Sequence, residues 1–212
     1  KIQPAVEMPS DFTEFWNKAK ANLAKVPMDA KMTLLPERCT ETVNVYHLNL
    51  QNYKEGGTTR LYGVLCVPKK EGKYPALLRV PGAGVRPYAG DVRTAEKGII
   101  TLEIGIHGVP VTMDLGVYTD LGTAALSGYW AYNLDNRDQY YYKKVFMGCV
   151  RANDFLVRLV PAPVSLQSRY SQLHVQADGQ NRSDWVQAPA PAAMIAYIGS
   201  DDTPDKAVPD VF

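Results

Sequence analysis

Three histidines, His47, His107 and His174, are the side chains that could exchange a proton near neutral pH. His107 comes directly after a strand-like apolar run and precedes Gly108. A lone histidine is more often a hydrogen-bonding structural residue than a catalytic one. The sequence therefore leaves a functional and a structural interpretation of His107 open, and it gives less support to a functional role for the other two.

Thiol chemistry and metal binding have no recognisable pattern in this sequence. Cys39, Cys66 and Cys149 are far apart, and they show neither C-x-x-C spacing nor a histidine at metal-ligand spacing. This arrangement predicts neither a disulfide framework nor a metal site. We expect three buried free thiols.

Two glycine-containing segments follow strand-like runs and could carry functional backbone or side-chain groups. Glycine would let the segment Pro81-Gly82-Ala83-Gly84 approach a ligand closely, although an ordinary strand-to-helix turn also favours glycine. In Gly199-Ser200-Asp201-Asp202 the aspartates could supply a functional carboxylate, but aspartate is also a common turn former.

Two segments of the chain are rich in aromatic residues. They are Tyr129-Trp130-Ala131-Tyr132 and Tyr140-Tyr141-Tyr142, and they could stack on sugar rings or pack over the core.

Apolar spacing predicts the elements that must position these residues. An amphipathic helix begins after a capping Ser10 or Asp11 and ends near Pro27. Residues 42–50 and 61–67 have the pattern of strands, and the glycine-containing turn between them predicts an antiparallel hairpin.

The pattern then changes to that of a parallel sheet. Residues 74–80 and 98–104 are short apolar runs, and the segment between them could hold a helix over about 85–97, which indicates a βαβ unit. A long loop is predicted from His107 to about Asp138. A second amphipathic helix follows, with apolar residues at helical spacing: Tyr141, Val145, Cys149, Ala152 and Leu156.

Composition excludes several classes of protein. The chain has 212 residues, of which 46% are hydrophobic and 21% are charged, as in a single globular domain. A net charge of +1 offers no basic face to nucleic acid or to an anionic membrane. No run approaches the roughly 20 apolar residues that cross a bilayer, and no signal peptide is recognisable. Because the first residue is Lys1, we expect a processed chain or a fragment.

Residues 159–212 differ in composition from residues 1–158. They contain one Lys, two Arg and no Glu, and they are rich in Ala, Pro, Gln and Ser. Such a bias is typical of loops or disorder. We therefore expect a folded part over 1–158 and a different tail over 159–212, in which residues 192–198 are strand-like.

Several motifs and their order resemble one known family. They are D-F-T-E-F-W at 11–16, L-Y-G-V-L at 61–65, Y-P-A-L-L-R-V-P-G-A-G at 74–84, the segment 98–108, and R-D-Q-Y-Y-Y-K-K-V-F-M-G-C-V-R-A-N-D-F-L at 137–156. Together they resemble the acetylxylan esterase and cephalosporin C deacetylase family, carbohydrate esterase family seven, over about residues 9–158. The resemblance implies an α/β fold of the α/β-hydrolase type, with an incomplete parallel sheet.

The family cleaves acetyl esters of carbohydrates with a Ser-His-Asp triad and a backbone oxyanion hole. The resemblance implies Ala83 and Gly84 at the oxyanion hole, and His107 with Gly108 as supporting residues where the family has Arg-Gly-Gln. It suggests Asp202 as the triad's acid. The implied partner is an acetylated carbohydrate or another small acetyl ester, with no metal or organic cofactor.

The sequence departs from the family at the nucleophile. The family places its serine in G-x-S-x-G after the helix that here ends near Leu159, but residues 160–172 contain no glycine. Ser165, Ser168 and Ser171 therefore do not fit the motif, and the family's late histidine has no counterpart. We expect little or no activity from this chain; the alternative is a non-catalytic carbohydrate-binding or structural remnant.

Several properties stay open at this point. A frameshift, a truncation or true divergence could each explain the tail. Acyl and sugar specificity do not follow from the residues. Relatives assemble as oligomers and include both intracellular and exported proteins, so homo-oligomerisation and export to the periplasm or medium stay open as well.

Overall fold

A computed structural model describes residues 7–159 in full and, in addition, the strand segments 176–177, 180–181 and 194–198. The described strands form one sheet. Its core is the hairpin of β2 (Val43–Lys54) and β3 (Gly57–Pro68), followed by β5 (Ile100–Gly105) and then β4 (Ala76–Val80). β1 (Lys31–Leu34) lies beside β2 at one edge.

The N-terminal helix and the hairpin confirm the predicted start of the fold. α1 spans Phe12–Lys25, and β2 pairs antiparallel with β3 along its whole length. Asp11 stands at the N-cap position of α1 but makes no side-chain cap. Its carboxylate instead receives hydrogen bonds from the Arg137 guanidinium. The expectation of a side-chain cap at Asp11 was therefore wrong, because a tertiary ion pair takes the carboxylate.

The βαβ unit is also confirmed. β4 and β5 are parallel neighbours, with Leu78 opposite Leu102, and β5 pairs antiparallel with β3 on its other side. The helix between them is shorter than predicted: α2 covers Val92–Glu96 and not 85–97. Its N-cap Asp91 accepts from the Thr94 N–H and pairs with Arg79. Pro87 and Gly90 precede it, residue types that disfavour helix interiors.

The segment predicted as one long loop contains helices of its own. α3 spans Leu115–Thr123, and a short 3₁₀ helix covers Tyr129–Ala131. α4 spans Tyr141–Leu159, as its spacing predicted. β8 (Met194–Ile198) runs parallel to β4 on the side away from β5, and the short strands β6 (Gln176–Ala177) and β7 (Gln180–Asn181) continue the sheet beyond it.

Helices cover both faces of the sheet. On one face α4 inserts Ala152, Phe155 and Leu156 against leucines of the hairpin and of β4 and β5. On the other face Ala95 of α2 packs on Val43, Val45, Val64 and Cys66. Successive residues of β3 alternate between these two layers, as strand geometry requires. This three-layer arrangement holds the ends of β4 and β5 in place. None of the described helices is long and apolar enough to cross a membrane.

Candidate active site

The glycine turn that follows β4 is held through the peptide groups of Gly84. Its N–H donates to the Tyr129 hydroxyl at 2.9 Å, and its carbonyl lies 2.8 Å from Nε2 of His107. Gly84 has a φ of +128°, which side chains with a Cβ rarely adopt, so glycine is required there. The turn is thus fastened on both sides by aromatic side chains.

The contacts of His107 define its protonation. A carbonyl oxygen only accepts hydrogen bonds, so Nε2 carries the proton that is donated to Gly84. Nδ1 then accepts from the Tyr141 hydroxyl at 2.7 Å. Burial lowers the pKa of His107, and the Lys144 charge adds to this, which favours the neutral ring. His107 therefore links β5, the glycine turn and the start of α4.

Ala83 occupies the exposed position of the same turn. No hydrogen bond engages its N–H within residues 7–159, while its carbonyl accepts from Arg86. The Gly84 N–H, by contrast, is already bonded to Tyr129. Of the two residues that the family resemblance implied, Ala83 therefore has the N–H that a ligand could reach.

Gly108 lies directly after His107 and against the hairpin. Its φ is +74°, and a Cβ there would come within 3.1 Å of the Arg60 carbonyl oxygen. The chain can therefore pass this close to β3 only with glycine at this position. The position of His107 at the end of β5 depends on this close passage.

The two aromatic segments divide between packing and exposure. Tyr129 and Tyr141 are buried beside His107, with their ring centroids 5.2 Å apart. Trp130 is 59% exposed and Tyr132 is at the border of exposure. Sequence reasoning did not identify Tyr129 and Tyr141 as partners of the turn, because nothing in their spacing indicates a tertiary contact to Gly84 or His107.

The described residues do not bring together a catalytic triad. Within residues 7–159 the serines are Ser10 and Ser127, and neither side chain hydrogen-bonds a histidine. The same residues hold no group of three or more His, Cys, Asp or Glu that could bind a metal ion. The remaining candidates from the sequence lie outside the described residues: Asp202, Ser165, Ser168, Ser171, Ser200 and His174.

The three cysteines stand as free thiols in this structure. Cys66 is fully buried, whereas Cys39 and Cys149 are partly buried. Burial raises the pKa of the Cys66 thiol to about 11. The thiols are therefore packing groups of the sheet and of α4, and none of them lies at the glycine turn.

The sheet order, the helices on both of its faces and the glycine turn after β4 define an α/β fold of the α/β-hydrolase type. The family model of acetyl xylan esterase matches residues 1–162. The chain belongs to that family. It is 34% identical over 163 residues to acetyl esterase Axe7A of Xylanibacter ruminicola, an alignment that covers 74% of this chain and 36% of that protein.

Solved structures show the same fold. The chain aligns with acetyl xylan esterase 1 from Thermoanaerobacterium sp. JW/SL YS485 at a TM-score of 0.57 and 20% identity, over 72% of this chain and 47% of that one. It aligns with an acetyl xylan esterase from Paenibacillus sp. R4 at a TM-score of 0.50 and 24% identity, over 73% and 49%. The aligned part of this chain thus spans about a third of the curated relative and less than half of each solved structure.

Proposed function

We propose that residues 7–159 are the N-terminal part of the catalytic domain of a carbohydrate ester hydrolase that removes acetyl groups from acetylated xylan or oligosaccharides. One observation carries the proposal: the backbone N–H and carbonyl of Gly84 are fastened by Tyr129 and His107, and the neighbouring Ala83 is exposed, with no hydrogen bond from its N–H within residues 7–159. Family membership supports the same assignment.

The turn supplies one part of the chemistry of ester cleavage. When a nucleophile attacks an acetyl carbonyl, the oxygen becomes negative, and a prepositioned N–H that points at it lowers the barrier. The Ala83 N–H is this donor in our proposal. Tyr129 and His107 act as positioning residues, because they hold the adjacent peptide and do not touch the reacting oxygen.

The nucleophile is the part of the mechanism that this chain does not supply in our proposal. Residues 160–172 contain no glycine, and a G-x-S-x-G turn needs glycine on both sides of its serine. This chain would then have the oxyanion turn but would not hydrolyse the ester. The alternative, a non-catalytic carbohydrate-binding remnant, would likewise keep the turn and lack turnover.

A hybrid protein tests the proposed donor. Residues 1–159 of this chain would be joined to the part of the Xylanibacter ruminicola esterase that follows its aligned segment, and hydrolysis of an acetylated xylo-oligosaccharide would be measured. We expect acetate release by the hybrid. Replacing Ala83 with Pro, which has no N–H, should lower kcat by about 10²–10³-fold, the usual cost of one lost oxyanion donor.

The matched control is Ala83→Gly, which keeps the N–H and should retain most of the activity. A hybrid that folds with the stability of its parents but releases no acetate would contradict the proposed function. Equal kcat values for the Pro and Gly variants would show that Ala83 is not the donor.

A further inference from the structure

A cleft of about 360 Å³ lies between the end of the hairpin and the start of α4. Four tyrosines contribute to its walls: Tyr53, Tyr132, Tyr140 and Tyr141. The tyrosine faces provide apolar surface, and the side-chain amide of Gln139 adds a hydrogen-bonding group to the rim. Such a mixture of aromatic faces and a few polar groups is typical of sites for small ligands, sugars included.

The cleft carries one positive charge in excess. Its lining includes three lysines and two carboxylates: Lys54, Lys143, Lys144, Glu55 and Asp138. The Lys143 ammonium lies 2.9 Å from Glu55 and 2.7 Å from Asp138, so both carboxylates form ion pairs with the same lysine.

The other two lysines of the cleft are not neutralised. Neither Lys54 nor Lys144 forms an ion pair with a carboxylate within residues 7–159. Burial lowers the pKa of Lys144, and the charge of Lys54 lowers it further. An anion in the cleft would oppose both effects, because a nearby negative charge favours the charged form of Lys144.

Lys144 is also fixed in place. Its ammonium lies 3.9 Å from the centroid of the Tyr141 ring, and its backbone carbonyl accepts from the Asn52 side chain at 3.0 Å. The hydroxyl of the same Tyr141 donates to His107, which holds the glycine turn. One tyrosine ring therefore separates the charged cleft from the residues that position Ala83.

From this juxtaposition we infer that the cleft binds a sugar residue bearing one carboxylate, a uronic acid in a polysaccharide, with Lys144 and Lys54 facing the carboxylate and the tyrosines against the ring. The inference rests on the proposed function in one respect, since the acetylated neighbour of that residue would lie at the glycine turn. The inference names a substrate class for the proposed esterase site: acetylated polysaccharides that carry acidic sugars as well as neutral ones.

Binding to the full 212-residue chain tests the inference without requiring turnover. Isothermal titration would compare xylotetraose, a xylo-oligosaccharide of the same length with one glucuronic acid branch, free glucuronate and inorganic phosphate. We expect the branched acidic oligosaccharide to bind roughly tenfold more tightly than xylotetraose, the effect of about one charge-assisted hydrogen bond. Lys144→Gln should remove this preference, so that the acidic and the neutral oligosaccharide bind with similar affinity.

Lys69→Gln is the matched control, because Lys69 is exposed and lies outside the cleft, and it should keep the preference. Equal affinities of the unaltered chain for acidic and neutral oligosaccharides would overturn the inference. Phosphate binding as tight as that of the acidic oligosaccharide would also overturn it, since the site would then recognise charge alone. Failure of the proposed function would be seen separately. The hybrid would then release no acetate but would still bind the acidic oligosaccharide more tightly than xylotetraose.

Discussion

The backbone N–H and carbonyl of Gly84 show how a small number of hydrogen bonds can prepare an oxyanion site. The N–H of Gly84 has the buried Tyr129 as its partner and the carbonyl has the half-buried His107, which is in turn held by Tyr141. Donors fixed before the reaction cost no reorganisation when charge develops, which is the reason that such sites are effective. The proposed role of the Ala83 N–H depends on this rigidity.

The neutral state of His107 leads to a prediction about pH. Burial keeps its folded pKa below the ordinary 6.5, so on acidification the unfolded chain takes up a proton that the folded chain does not. The free energy of unfolding should therefore fall as the pH drops below about 6.5, by at most about 1.4 kcal/mol per pH unit for this one proton. Urea denaturation at about pH 7.5 and about pH 5.5 measures the loss, which should be smaller in His107→Gln.

The comparison with His107→Gln is needed because other groups titrate in the same range. Burial also lowers the pKa of His47, so this residue too lowers the free energy of unfolding on acidification. Burial raises the pKa values of Glu103 and Asp154, so these two residues raise the free energy of unfolding on acidification. These contributions are common to both proteins and cancel in the difference. An identical loss of stability on acidification in both proteins would show that His107 has an ordinary pKa in the folded state.

Part of this network could be predicted at the level of single residues. The glycines of the turn and the place of His107 after β5 follow from turn chemistry and from the family's motif order. Tyr129 and Tyr141 lie 45 and 34 residues along the chain from their partners Gly84 and His107. Because the sequence spacing carries no sign of such a contact, stacking on a sugar and packing in the core were equally consistent with it.

Among the described helices, α4 contacts the widest set of other elements. Its first turns provide Tyr141 to the glycine turn and Lys143 to Glu55 of the hairpin end. Its middle carries Arg151, which donates to the carbonyls of Leu23 and Val26 at the C-terminal end of α1. One helix therefore joins α1, the hairpin and the candidate site.

The Arg151 contact leads to a prediction about stability. Arg151 is 3% exposed and satisfies carbonyls at a helix end, where backbone acceptors have no partner within the helix. Arg151→Met keeps a long apolar side chain but removes the Arg151 donor from both carbonyls, of which Leu23 still accepts from the Val26 N–H at 3.0 Å. We expect a loss of about 1–3 kcal/mol in the free energy of unfolding by urea denaturation.

Arg158→Met is the control, since Arg158 is exposed in the last turn of the same helix and its loss should change stability by about 0.5 kcal/mol or less. Equal losses in the two variants would mean that the hydrogen bonds of Arg151 to the end of α1 contribute nothing beyond the loss of a charge.

Prediction of the elements worked where periodicity was strong. α1, the hairpin, β4, β5 and α4 all follow from apolar spacing, since each buries one face or one stripe of residues. β1 was not predicted: its sequence K-M-T-L alternates between polar and apolar residues, but the run is only four residues long, and in the structure all four are exposed. α3 was missed for a related reason: Tyr118 is its one buried residue, so burial leaves no stripe along the helix.

At the scale of the whole molecule, the sheet extends past the region that the family model matches. β8 pairs parallel with β4, with Ala76 opposite Met194 and Val80 opposite Ile198, although residues 194–198 lie beyond the matched residues 1–162. A short alternating or apolar run such as residues 192–198 predicts a strand but not its neighbour. Its place beside β4 is therefore information from the structure alone.

Weak catalysis is expected of the 212-residue chain. An oxyanion site and binding alone leave a residual acceleration of about 10³–10⁴-fold over water when the triad of a serine hydrolase is lost, far below that of an intact triad. With Ala83 in place and no G-x-S-x-G turn, this chain should hydrolyse an aryl acetate no faster than this residual rate. Intact-mass measurement should detect no covalent adduct after incubation with a serine-directed phosphonate, whereas the hybrid esterase, as the positive control, should be labelled. Stoichiometric labelling of Ser127, Ser165, Ser168, Ser171 or Ser200, abolished by the corresponding Ser→Ala change, would mean that this chain carries a working nucleophile outside the family's motif.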